Sequence, residues 1–142
     1  RLADIDNIVA IKDATGSAVR GEQLIRAVGD RMVVLSGDDS TALELMQFGG
    51  KGNISVTANV APKAMSETFS AGLRGDFDAA HKVHDVVKHL HRDLFIESSP
   101  IPVKYALHKM GMIDTGIRLP LVWLAEKHHA TIDEALIRAN LL

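Results

Sequence analysis

Short apolar runs alternate with longer amphipathic stretches over the first half of the chain, and the alternation occurs three times. Ile8-Val9-Ala10-Ile11 ends in Lys12 and passes into the polar loop Asp13-Ala14-Thr15-Gly16-Ser17. A helical pattern follows, with Val19, Leu24, Ile25 and Val28 at mostly helical spacing and Gly29 as its stop. Met32-Val33-Val34-Leu35 opens the second round, and the loop Ser36-Gly37-Asp38-Asp39 leads into a helix carrying Leu43, Leu45, Met46 and Phe48. That helix should stop at Gly49-Gly50. The third round is Ile54-Ser55-Val56, then Thr57-Ala58-Asn59, then a helix with Pro62 in its first turn and Met65, Phe69 and Leu73 inward. Runs without strict in–out alternation predict strands buried on both faces, so the pattern reads as βα units on a parallel sheet.

Three such units leave two unpaired sheet edges, whereas a closed (β/α)8 barrel takes about 250 residues. The βα part therefore reads as incomplete, and a chain opening on Arg1 rather than Met fits a piece of something longer. From Asp76 onward the pattern is purely helical. Asp76 is a good N-cap, and Phe77, Ala80, Val83, Val87, Leu90 and Leu94 recur every three or four residues. The turn Ser98-Ser99-Pro100-Ile101-Pro102 opens a helix with Val103, Ala106, Leu107 and Met110 on one face and Gly111 after it. A loop through Gly116 and Leu119-Pro120 leads to an apolar patch with Trp123, where a turn residue is the expectation. Thr131 and Glu134 form a capping-box pattern at the head of the last helix, which carries Leu136 and Ile137. The organisation expected is α/β layers over residues 1–75 and an all-α region over 76–142.

Composition narrows the function without choosing it. Sixteen basic against eighteen acidic side chains give a formal charge of −2, so no net basic field is available for nucleic acid or an anionic membrane. No apolar run approaches the roughly 20 residues of a membrane span. With no cysteine there can be no disulfide, zinc–thiolate site or thiol nucleophile, which suits a reducing cytoplasm.

In parallel βα folds, ligands gather beyond the carboxyl ends of the strands. That places Lys12, Ser36 to Asp39 and Ile54 to Asn59 in view. Lys12 closes an apolar strand, where poor solvation would penalise its charged form and favour a neutral amine. A neutral amine attacks carbonyls to form a Schiff base, and the iminium lets a proton leave the neighbouring carbon to give an enamine. The alternative is a lysine that snorkels to the rim and pairs with Asp13 or Asp38.

Ile8-Val9-Ala10-Ile11-Lys12-Asp13-Ala14-Thr15-Gly16 resembles the Schiff-base lysine strand of the pyruvate-dependent aldolases related to N-acetylneuraminate lyase. Leu35-Ser36-Gly37-Asp38-Asp39 and Gly52-Asn53-Ile54-Ser55-Val56-Thr57-Ala58-Asn59-Val60 resemble more specifically the dihydrodipicolinate synthase family, as do Pro100-Ile101-Pro102-Val103-Lys104, Arg118-Leu119-Pro120 and Asn140-Leu141-Leu142. The resemblance runs the whole chain. It implies the last three βα units, six to eight, of a (β/α)8 barrel followed by a helical domain. Lys12 is then similar to the lysine that condenses with pyruvate, and Ile54 to the position whose main chain contacts it. Gly37 and Asp38 line the same mouth. The implied reaction adds the pyruvate enamine to aspartate 4-semialdehyde, a step of lysine synthesis, with no metal or organic cofactor and in a cytoplasmic homotetramer. A sugar-acid lyase of the N-acetylneuraminate type, and a non-catalytic structural fragment, are the competing expectations. The family takes its catalytic tyrosine, its threonine–tyrosine proton relay and its substrate-carboxylate arginine from earlier strands that are not in this sequence. Tyr105, the only tyrosine, matches none of these, so the chain alone is expected to be nearly inactive.

Other signals have plainer readings. His81, His84 and His91 lie near one helix stripe, and His81-x-x-His84 could hold a metal, but no carboxylate or cysteine completes a set; a solvated or interfacial face is expected. His128 and His129 are adjacent and point apart. Gly49-Gly50-Lys51-Gly52 lacks phosphate-loop spacing. Asp38-Asp39 reads as a helix start with favourable dipole before it reads as a cation site.

Overall fold

The computed structural model describes residues Arg1–Leu142. They divide into two units, one of Arg1–Ser55 with Glu67–His81, the other of Val56–Ser66 with Lys82–Leu142.

In the first unit, β1 (Ala10–Asp13) and β2 (Val33–Ser36) pair in parallel, joined by α1 (Ala18–Val28). The register sets Ala10 opposite Val33 and Lys12 opposite Leu35. Ser17 caps α1 by accepting from the Arg20 N–H, and Gly29, with φ 56°, turns the chain out of the helix as its sequence position predicts. α2 (Ala42–Gln47) follows β2 and buries Ala42, Leu43, Leu45 and Met46. Leu43 and Met46 form a core cluster with Ala71 and Ala80, flanked by Phe69, Phe77 and Ala79. Those partners come from α3 (Pro62–Leu73) and α4 (Phe77–Asp93), the latter begun by the Asp76 carboxylate accepting from the Ala79 N–H.

The third apolar run is not the strand that Ile54-Ser55-Val56 led us to expect. Only Asn53 bridges to β2, opposite Ser36, and a 3-10 turn takes over at Thr57–Asn59. A strand needs ladder bonds along its length, and here the segment has the end of one short strand to pair with. What is seen is an α/β arrangement of helices on a small parallel sheet.

The second unit is helical. Met65, Val87, Leu90, Leu94, Ile132 and Leu136 are its large, fully buried side chains. α5 (Ile101–Lys109) packs on α6 (His129–Arg138), with Tyr105 and Ala106 buried from one and Ile132 and Ala135 from the other. α6 departs from expectation at its start: it opens at His129, after a 3-10 turn over Glu126–His128, so Thr131 lies inside the helix and caps nothing. Trp123 stands in an irregular segment and packs edge-on against Tyr105 and His108 instead of making a turn. No helix is long and apolar enough to cross a membrane.

Candidate active site

The carboxyl ends of the parallel segments converge through main-chain bonds. The Gly37 N–H donates to the Asp13 carbonyl at 2.7 Å, continuing the β1–β2 ladder one residue past β2. The Ser36 N–H donates to the Gly52 carbonyl and the Ile54 N–H to the Ser36 carbonyl, both at 2.9 Å. Lys12, the Gly37-Asp38 loop and the Ile54 backbone are thereby brought to one end of one sheet.

Lys12 is exposed, so the dry environment expected for it is absent from this chain. The reason is topological. β1 is an edge strand of a two-stranded sheet, and its alternate residues Ala10 and Lys12 face solvent while Ile11 and Asp13 are half-buried. The rim-pairing alternative is not realised either. Asp13 accepts from the Thr15 N–H at 2.9 Å, and Asp38 is engaged with Thr41. Instead the aliphatic stem of Lys12 passes over Gly37, close enough that a β-carbon there would meet Lys12 Cε and Cγ.

The Asp38 carboxylate is used locally. Its Oδ2 accepts from the Thr41 N–H at 2.9 Å and the Thr41 hydroxyl at 2.7 Å, bracing the turn that leads into α2; the N-cap of that helix is Thr41, without a side-chain cap bond, and not the acid that the sequence led us to expect. Asp39, 3% exposed, accepts from Asn53 Nδ2 at 2.6 Å and so ties the β2 loop to the third segment. Ile54 has an exposed side chain, and the 2.9 Å bond from its N–H to Ser36 fixes its backbone. Sequence reasoning gave Ser36 no role of its own. Buried at 1% exposure, its hydroxyl donates to the Asp38 carbonyl (2.9 Å) and accepts from the Asp38 N–H (3.0 Å), closing the loop on itself. A serine just ahead of Gly-Asp is the signal that could have found it.

The histidine stripe breaks up. His81 is exposed, but His91 is buried at 4% exposure, with Nδ1 2.8 Å from Thr57 Oγ1 and Nε2 3.1 Å from His84 Nε2. The expectation of a solvated or interfacial face does not hold for His91, which is buried within this unit against a fully buried threonine distant in sequence. Tyr105 is structural: its hydroxyl donates to Asp133 at 3.1 Å and its ring stacks on His129, with centroids 4.3 Å apart. Burial pushes the phenol up from its ordinary value, the charge and hydrogen bond of Asp133 add to that, and Lys109 opposes it. Lys109 pairs with the same carboxylate at 2.9 Å, and that hydrogen bond raises its ammonium as well.

Two parallel strands, one with a lysine next to its last residue, beside loops joined by main-chain bonds, place this among α/β proteins whose candidate site lies at the strand ends. The chain belongs to the dihydrodipicolinate synthetase family, whose sequence profile matches residues 1–139. It is 85% identical over all 142 residues to a 4-hydroxy-tetrahydrodipicolinate synthase of Psychrobacter arcticus, covering 47% of that protein. Against the synthase of Pseudomonas aeruginosa the identity is 54%, covering 49% of it. The structure superposes with a TM-score of 0.97 on a dihydrodipicolinate synthase of Acinetobacter baumannii, described as chloride-inhibited and complexed with pyruvate. That match has 55% identity and covers the whole chain and 49% of the neighbour. A monomeric dihydrodipicolinate synthase variant matches with a TM-score of 0.91 at 38% identity, covering 99% of the chain and 48% of its own. The chain thus spans about half the length of the curated relatives it matches.

Proposed function

We propose that the chain is the C-terminal half of a 4-hydroxy-tetrahydrodipicolinate synthase, with residues 1–75 supplying barrel units six to eight and residues 76–142 a helical domain. The observation that carries this reading is Lys12 at the end of β1, its stem laid toward the β2 loop, at the same sheet end as the Ile54 backbone. In the complete enzyme Lys12 Nζ attacks C2 of pyruvate. The C–O bond breaks, water leaves and an iminium forms. Loss of a C3 proton gives the enamine, whose C3 bonds to the aldehyde carbon of aspartate 4-semialdehyde while the aldehyde oxygen takes a proton. The semialdehyde's own amine then adds to C2, closing the ring and freeing Lys12. The iminium formed on Lys12 is the electron sink, so no step calls on a metal or organic cofactor. The hydroxyl groups that move protons, and the cationic group that holds the second carboxylate, would come from outside these 142 residues.

The names of the matched relatives support the synthase over a sugar-acid lyase. A reaction of amino-acid synthesis fits a cytoplasmic location, as does the lack of cysteine in these 142 residues. Homotetramer assembly is part of the same proposal, and the solution mass of the full-length enzyme tests it.

Treating that enzyme with pyruvate and borohydride, then weighing the peptide that carries Lys12, tests the chemistry. The expected result is a reduced adduct on Lys12 that is lost in Lys12→Arg with the fold intact; turnover surviving that substitution above a trace refutes the reading. A second reading concerns the isolated chain: with Lys12 exposed and half the relatives' length present, it acts as a structural fragment. The same trapping run on the isolated chain should give no adduct.

A further inference from the structure

We infer that Gly37 is a positioning residue for Lys12: the missing side chain at 37 is the slot in which the stem of the imine-forming lysine lies. This rests on the reading of Lys12 given above. A glycine is needed where the backbone is left-handed or where no room exists for a β-carbon. The first reason does not hold, because Gly37 is not among the glycines with positive φ, which are Gly16, Gly29, Gly49, Gly52, Gly75, Gly111 and Gly116. The second does. A β-carbon at Gly37 would collide with Lys12 Cε and with the Ala14 β-carbon, and would lie 3.0 Å from Lys12 Cγ. The crowded glycines elsewhere meet core side chains: Gly21 and Gly50 face Leu45, and Gly72 faces Met46.

The two obstacles at Gly37 differ in kind. The Ala14 β-carbon is tied to the backbone and cannot turn aside. The lysine stem is flexible, so a methyl group would move it and leave the loop in place. Other bonds hold that loop independently: the Gly37 N–H donates to the Asp13 carbonyl, and the Ser36 hydroxyl side chain bonds the Asp38 main chain. A methyl at 37 would therefore act first on where the amine sits. With Gly37 empty, the stem leans across toward β2 and away from the open edge of β1.

The test uses the full-length enzyme and three variants: Gly37→Ala, Ala14→Gly, and the two combined, the last removing the backbone-tied clash while keeping the one with Lys12. The readouts are the borohydride-trapped adduct on Lys12 against time with pyruvate, the split between kcat and KM for pyruvate, and the thermal midpoint. The combined variant should melt with the wild type yet trap pyruvate about 10²-fold more slowly, the cost of a misplacement of about 1 Å at a reacting atom. Ala14→Gly alone should trap at close to the wild-type rate. A combined variant that melts and traps like the wild type overturns the inference alone. Loss of fold in both Gly37 variants assigns the glycine to the loop and overturns it too. A wild type that gives no adduct overturns the reading of Lys12, and this inference with it.

Discussion

Asp38 offers the sharpest division between a structural and a chemical role at this site. One oxygen, Oδ2, takes both bonds from Thr41, at 2.9 Å from the N–H and 2.7 Å from the hydroxyl. Asp38→Ala removes this one acceptor, and with it both bonds in the turn before α2, and leaves a half-buried amide unpaired. Leaving a part-buried donor without its partner costs about 1–3 kcal/mol, and the partial exposure of this turn puts the expected loss at about 1–2 kcal/mol. Asp38→Asn keeps an oxygen able to accept both bonds and gives up only the charge, so it should lie within about 1 kcal/mol of wild type. A double-mutant cycle with Thr41→Val isolates the hydroxyl bond, with an expected coupling of about 0.5–1.5 kcal/mol. Denaturant unfolding of the full-length enzyme supplies the stabilities, and trapping of the pyruvate adduct supplies the chemistry. The structural reading is refuted if Asp38→Ala unfolds at the wild-type midpoint. It is also refuted if Asp38→Asn holds its stability but loses the adduct, since the charge would then act on the reaction.

Further expectations follow from the second unit. Tyr105 is the only tyrosine of these 142 residues, so in the isolated chain absorbance at 295 nm follows it alone; it should ionise above the ordinary value near 10 when folded and at that value in denaturant. Because its folded value is the raised one, its stabilising effect is complete below about pH 10 and fades as pH rises through the folded value. Tyr105→Phe should abolish that alkaline loss, and a folded phenol titrating at or below the denatured one would contradict the account. Thr57→Val keeps the shape and removes the partner of buried His91 Nδ1, which should cost about 1–3 kcal/mol in unfolding experiments. Leu90→Ala, at a position with 0% exposure, should cost about 2–5 kcal/mol, and a midpoint within error of wild type would show that the helical core is not packed as described.

The patterns that could be read were those with a local cause. Gly29 ends α1, Asp76 begins α4, and Pro62 sits in the first turn of α3, because caps and fixed φ angles act within a few residues. The misreadings share the opposite feature. Ile54-Ser55-Val56 has strand composition, but a strand needs a ladder along its length, and the segment meets β2 through one bridge at Asn53 with the Ile54 N–H bonded to Ser36 before a 3-10 turn takes over. Thr131 and Glu134 have capping-box spacing, yet His129 anchors an earlier start by stacking on Tyr105 and placing Nε2 3.0 Å from the Leu124 carbonyl. His91 sits among charged neighbours in sequence and is buried because of Thr57. At the candidate site, motif resemblance picked out Lys12, Gly37, Asp38 and Ile54. It could not distribute their work, because whether Asp38 braces the turn before α2 or faces a ligand depends on where Thr41 lies.

Aim and reactivity at Lys12 have separate physical sources. Aim follows from the β1–β2 register, from the Gly37-to-Asp13 bond that carries the ladder past β2, and from the absence of a side chain at 37. All of these lie between residues 10 and 37. Reactivity requires that water be kept from the ammonium, and nothing in these 142 residues does so, since β1 has an open edge and Lys12 is exposed. A mutation at Gly37 should therefore alter where the Lys12 amine is held, read as a slower borohydride-trapped adduct in the full-length enzyme, without altering how far water reaches it. A Gly37→Ala variant that traps pyruvate at the wild-type rate would mean that the empty position does not set the aim.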